Sequence, residues 1–81
     1  MKHYTRKQLD DIYRLRNKYW KTGDTDFLSP SYDMAKEIDS QFWGTILSIV
    51  DFTTRKHLPK QAAIDALAIF GYECVEGEKN D

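Results

Sequence analysis

Apolar residues recur every three or four positions along most of the chain, which is the periodicity of amphipathic α-helices. The first such stretch begins at Thr5, and Gln8 stands three residues later, which is the spacing of a capping box. Gly23 follows as a natural helix end. The pattern therefore predicts a first helix over residues 5–22. Its apolar side holds Leu9, Ile12, Tyr13, Tyr19 and Trp20.

A broader apolar stripe runs through residues 30–55. Pro30 suits the first position of a helix, and Ser29 before it can act as the cap. The end is set by Pro59, since the residue before a proline is pushed out of the helical region. We therefore predict one long second helix over residues 30–55, and its wide apolar face makes it the most buried element. The stripe consists of Met34, Ala35, Ile38, Phe42, Trp43, Ile46, Leu47, Ile49, Val50 and Phe52.

A third helix is predicted over residues 59–70, which are mostly alanine and other apolar residues and are followed by Gly71. Residues 73–81 are expected to form a flexible acidic tail. Short connections favour antiparallel neighbours, so the expected fold class is all-α: a single domain, residues 1–81, built as a small three-helix bundle. In an open version of this bundle, self-association or another protein would complete the cover of the second helix.

The composition of the chain is typical of a small globular domain. The 81 residues are 41% hydrophobic and 31% charged, which is typical of a small soluble domain rather than a disordered segment. A single cysteine permits neither an internal disulfide nor a multi-cysteine metal site, and this favours a reducing, cytoplasmic location. The early residues lack the apolar segment of a secretory signal, and no apolar stretch is long enough to span a membrane. We therefore expect no contact with a membrane.

Charge is distributed unevenly along the chain. Residues 1–22 hold seven Lys or Arg and two acidic residues, whereas residues 23–81 hold five Lys or Arg and eleven acidic residues. The net charge of the whole chain is −1. Opposite the apolar side of the first helix lies a basic stripe made of Lys7, Arg14, Lys18 and Lys21. Two interpretations stay open. The stripe is either a solvated face complemented by nearby acids or a surface for the phosphates of a nucleic acid.

Two charged residues fall inside apolar faces, Arg16 on the first helix and Asp39 on the second. Buried charges need partners, and in an antiparallel pair of helices these two residues lie at similar heights. We predict that they form an ion pair or share a hydrogen-bond network. In the alternative interpretation, Arg16 reaches past the aromatic residues to water and Asp39 lies at the rim.

Residues that could carry catalysis are few. Cys74 has no histidine in its local segment, and His57 stands at a helix end. The run that begins at Asp24 lacks the glycine and the glutamate that a calcium loop requires, and the glycines are too dispersed for a phosphate loop. The sequence therefore predicts no catalytic residue, no metal site and no cofactor.

The aromatic content exceeds what three helices can enclose, since the chain holds eleven aromatic residues. The expected function is therefore a non-enzymatic small helical module that binds a partner protein or itself through an apolar and aromatic surface. The alternative is a nucleic-acid-binding accessory protein that uses the basic stripe. The candidate interface residues are Trp20, Trp43, Phe52 and Ile69.

Overall fold

A computed structural model describes residues 2–75 of the chain, and within them the structure is mainly helical. The helices are α1 (Arg6–Thr22), α2 (Leu28–Ile38), α3 (Trp43–Arg55) and α4 (Lys60–Ile69). Two short strands, β1 (Lys2–Thr5) and β2 (Tyr72–Val75), flank them, and a 3₁₀ helix (Thr25–Phe27) links α1 to α2.

The ends of α1 are fixed by the residues that the sequence singles out. The Thr5 hydroxyl accepts a hydrogen bond from the Gln8 backbone N–H at 3.1 Å, and the Gln8 side chain accepts one from the Thr5 N–H at 2.8 Å. At the other end, Gly23 adopts a left-handed conformation with φ 73°, and its N–H donates to the Tyr19 carbonyl. These contacts satisfy backbone groups that a bare helix end leaves unpaired.

The prediction of one helix over residues 30–55 is wrong, because the chain breaks between Ile38 and Trp43. Asp39 is extended, with φ −150° and ψ 104°, and its carboxylate accepts hydrogen bonds from the backbone N–H groups of Gln41 and Phe42, each at 3.0 Å. These local bonds replace the helical ones at the break. The segment therefore folds as two helices, α2 and α3, which can change direction relative to each other.

The link between α3 and α4 turns sharply at His57, which is left-handed with φ 57°. The His57 N–H donates to the Thr54 carbonyl at 3.1 Å, and the Leu58 N–H donates to the Thr53 carbonyl at 3.0 Å. This is the Schellman pattern of helix ends, in which glycine usually occupies the left-handed position. Pro59 follows and precedes the first residue of α4.

A parallel two-stranded sheet corrects the prediction of an all-α three-helix bundle. β1 pairs with β2 in the register Lys2 to Tyr72 and Thr5 to Val75, so the helical part of the chain is the crossover connection between the strands. Residues 73–75 of the predicted flexible tail belong to β2, and residues 76–81 lie outside the described residues.

The core lies where the four helices meet the sheet. Its helical members include Leu9, Ile12, Ala35, Ile46, Val50, Ala63 and Leu67, each at most 1% exposed. Tyr4 of β1 and Tyr72 of β2 extend the same cluster, so the sheet closes one side of the helices.

Asp39 also connects the break to the sheet. The Tyr72 hydroxyl donates to the Asp39 carboxylate at 2.7 Å. The Phe42 backbone N–H and the Tyr72 hydroxyl hold the pKa of Asp39 below its usual value, whereas burial and the nearby carboxylate raise the pKa of Tyr72 to about 12. The ionised form of Asp39 is thus the one that the fold stabilises.

Asp39 makes the stability sensitive to acid. The unfolded chain binds a proton at Asp39 near pH 3.9, roughly the ordinary value, whereas the folded chain binds it only at lower pH, so the free energy of unfolding falls as the pH drops through this range. Asp39→Asn keeps an oxygen that accepts the backbone bonds but removes the titration. We expect a weaker pH dependence in urea unfolding between about pH 2 and pH 6.

The matched control is Ser40→Asn, which alters the neighbouring exposed residue without changing a charge. This variant should keep the acid dependence of the parent. An Asp39→Asn protein that loses stability in acid as steeply as the parent would contradict the assignment.

Candidate functional site

An ion pair between a buried arginine and a partly buried aspartate links three helices. Arg16 of α1 is 7% exposed, and its Nε donates to the Asp51 carboxylate of α3 at 2.9 Å while Nη2 donates to the second carboxylate oxygen. Nη1 of the same guanidinium lies 3.2 Å from the Ser31 hydroxyl of α2. The hydrogen bonds to Asp51 raise the pKa of Arg16. The two-pronged geometry fixes the position of α3 against α1.

The predicted pair between Arg16 and Asp39 is not the one that the structure forms. Both residues are buried, but Arg16 binds Asp51 whereas Asp39 binds Tyr72 and the backbone of the break. The prediction assumed a continuous second helix. Because the chain breaks after Ile38, α3 takes a separate position and its own acid, Asp51, lies opposite Arg16.

Trp20 is attached to this pair at the protein surface. Its indole Nε1 donates to the Asp51 carboxylate at 2.9 Å, and the Arg55 guanidinium carbon lies 4.9 Å from the centre of its ring. The Tyr19 ring packs edge-on against it, with the ring centres 5.0 Å apart. Trp20 nevertheless remains 41% exposed. The fold thus holds the indole in a defined orientation while leaving much of it in water.

Trp20 lines one surface groove, and a second groove shares Arg55 with it as a wall. The larger has a volume of about 400 Å³, and the smaller has a volume of about 280 Å³. We call the exposed residues that line them the Trp20 surface: Trp20, Lys21, Phe52, Arg55, Lys56 and His57. Three of these residues are cationic at neutral pH, and the carboxylate of Asp51 beside them already binds Arg16. The Trp20 surface therefore combines exposed aromatic rings with positive charge.

Two of the four predicted interface residues belong to the Trp20 surface: Trp20 lines the larger groove and Phe52 lines the smaller one. Trp43 packs against the core and the Tyr32 ring, with the ring centres 5.2 Å apart. Ile69 is 84% exposed near the end of α4. Neither of these two residues lines the grooves of the Trp20 surface.

The predicted basic stripe divides into separate environments. Lys7 and Arg14 both bind Asp11, at 3.0 and 3.4 Å, and these contacts, led by the hydrogen bond from Lys7, hold the pKa of Asp11 below its usual value. Lys18 lies 5.6 Å from the centre of the Phe27 ring, whereas Lys21 lines the larger groove. Only the end of the stripe therefore joins the Trp20 surface.

The sequence did not lead us to predict that Asp51, Arg55, Lys56 and His57 belong to this site. Asp51 gives no sign of burial, since it stands on the polar side of the predicted second helix. The other three form a short basic run at a predicted helix end, next to Phe52. That run was the available signal, but its proximity to Trp20 depends on the packing of α3 against α1.

Comparison of the chain with protein-family models, with curated proteins and with solved structures finds no match. Among residues 2–75, no helix has both the length and the apolar character that crossing a membrane requires. The same part of the chain holds no group of three or more His, Cys, Asp or Glu suited to a metal ion.

Removal of Asp51 should strongly destabilise the protein. Asp51→Leu leaves the Arg16 charge buried without its partner, and we expect a loss of about 3–5 kcal/mol in the free energy of unfolding measured with urea. The double variant Arg16→Met with Asp51→Leu should recover much of this loss, because neither charge is then left alone.

The control is Asp11→Leu, which removes the acid from ion pairs at the surface. It should change the free energy of unfolding by at most about 1 kcal/mol. Equal effects of Asp51→Leu and Asp11→Leu would show that the Arg16 pair does not hold the helices together.

Proposed function

We propose that the protein is a non-enzymatic interaction module that binds another protein through the Trp20 surface. The observation that carries the proposal is an exposed tryptophan held by Asp51 through its indole N–H and by Arg55 over its ring. Trp and Arg are the residue types most enriched at the energetic centres of protein interfaces. A side chain that is already fixed in position loses little conformational entropy when a partner binds.

Packing in the hydrophobic core does not account for these aromatic residues. Trp20 and Phe52 both lie outside the core cluster, and Phe52 is 57% exposed. Exposed apolar area is unfavourable by about 25 cal/mol per Å², so exposed rings on two grooves that share Arg55 favour a surface that is covered in a complex.

A second copy of the chain fits this surface poorly. A two-fold dimer built on it would bring the patch that carries Lys21, Arg55 and Lys56 against the same patch of the other copy. Like charges facing each other across an interface are strongly unfavourable. We therefore propose that the partner is a different protein.

Nucleic-acid binding is the second candidate function. It is favoured by the adjacency of Trp20 to cations, because single-stranded nucleic acids bind to stacked aromatic rings and positive charge together. Against it, Lys7 and Arg14 of the basic stripe are paired with Asp11, and the chain as a whole carries a net charge of −1. We therefore place protein binding first.

A photo-crosslinking amino acid at position 52 tests the proposal in the source cell. We expect one defined adduct to another protein, and we expect it to disappear when Trp20→Ala is added, since loss of such an anchor weakens binding by roughly 30-fold or more. The same crosslinker at the exposed Asp65 of α4 is the control and should give no such adduct.

The nature of the adduct separates the alternatives. An adduct with the mass of two copies of this chain would indicate self-association, and an adduct removed by nuclease would indicate a nucleic acid. Either result, or the absence of any adduct that depends on Trp20, would overturn the proposed function. Circular dichroism of Trp20→Ala must match the parent for the comparison to hold.

A further inference from the structure

His57 occupies a backbone conformation that favours glycine. Among the described residues it is the only non-glycine residue with positive φ, at 57°. It occupies the left-handed position of the helix end, which glycine adopts most readily and which histidine adopts less readily than glycine. Its side chain is exposed and lines the larger groove beside Trp20. His57 therefore ends α3 and at the same time places an imidazole on the wall of the larger groove, where it can face a bound partner.

The charge of the Trp20 surface indicates the chemistry of its partner. Lys21 contributes from the end of α1, while Arg55 and Lys56 contribute from the end of α3. Asp51, the acid in contact with Trp20, has its charge matched by Arg16. A segment that carries carboxylates beside a large apolar side chain would satisfy both the cations and the exposed rings of Trp20 and Phe52.

We infer that the Trp20 surface binds an acidic peptide segment of its partner, an inference that rests on the proposed function. His57 faces this segment in the larger groove. The segment lies across both grooves, with an apolar side chain against Trp20 and Phe52 and carboxylates toward the three cations. A nucleic acid suits the surface less well, since a cluster of three cations releases few counterions.

The test uses a short fluorescein-labelled peptide in which glutamate alternates with leucine, and fluorescence anisotropy measures its binding to the whole chain. A matched peptide with every glutamate replaced by glutamine is the neutral probe. We expect the acidic peptide to bind, and the triple variant Lys21→Gln, Arg55→Gln, Lys56→Gln to bind it at least about tenfold more weakly.

The matched control is the triple variant Lys2→Gln, Arg6→Gln, Lys7→Gln, which removes the same charge from exposed residues at the start of the chain. It should bind the acidic peptide as the parent does. Equal weakening by both triple variants would show that only net charge matters, and it would overturn the inference.

His57→Gly separates stability from binding. Because glycine accepts positive φ, we expect the melting temperature to rise by roughly 4–8 °C, while the affinity for the acidic peptide falls about threefold or more. His57→Asn, which tolerates the left-handed backbone but lacks the imidazole, should also weaken binding. Unchanged affinity in both variants would refute the role of His57.

The outcomes distinguish this inference from the proposed function. Equal binding of the neutral and acidic peptides, or no binding of either while the adduct at position 52 still depends on Trp20, would reject the acidic partner and leave the interaction module standing. An oligothymidylate that binds more tightly than the acidic peptide would reject both.

Discussion

The two-pronged contact between Arg16 and Asp51 is the constraint on which the rest of the structure depends. A guanidinium buried in a small core is tolerated only with a well-placed carboxylate, so this pair determines where α3 lies against α1. The same carboxylate accepts the Trp20 indole N–H, and Arg55 on the next turn of α3 covers the indole ring. A contact required for folding thereby also builds the exposed surface. The Asp51 carboxylate thus contributes both to helix packing and to the proposed binding surface.

The helix that makes this contact, α3, begins after the break at Asp39. The Asp39 carboxylate takes two backbone N–H groups and the Tyr72 hydroxyl, which ends α2 and anchors the bend to the sheet. Since α2 and α3 are separate elements, Ser31 and Asp51 can both reach the Arg16 guanidinium. A single side chain that competes with helical hydrogen bonds therefore sets the geometry of the core and, through it, of the Trp20 surface.

Local signals in the sequence predicted the helical character. They did not predict the helix break, and the sheet and the site depend on contacts between residues far apart in the chain. Thr5, Gln8 and Gly23 mark the ends of α1 because capping acts within a few residues. The apolar spacing of Ile38 and Phe42 runs across the break without interruption, so periodicity alone predicted one helix. The parallel sheet joins segments about seventy residues apart, which no local pattern shows. In the site, exposed aromatic residues were predictable, but their basic neighbours depended on the position of α3.

The cations near Trp20 have an explanation within the fold that must be weighed against binding. Lys21 and Arg55 stand in the last turns of α1 and α3, where positive charge is favoured by the helix dipole. This effect explains the charges, but it explains neither the exposed rings of Trp20 and Phe52 nor the left-handed backbone of His57. Glycine is the usual residue at that position of a helix end. The combination of exposed rings and positive charge on grooves that share Arg55 therefore supports the proposed binding surface.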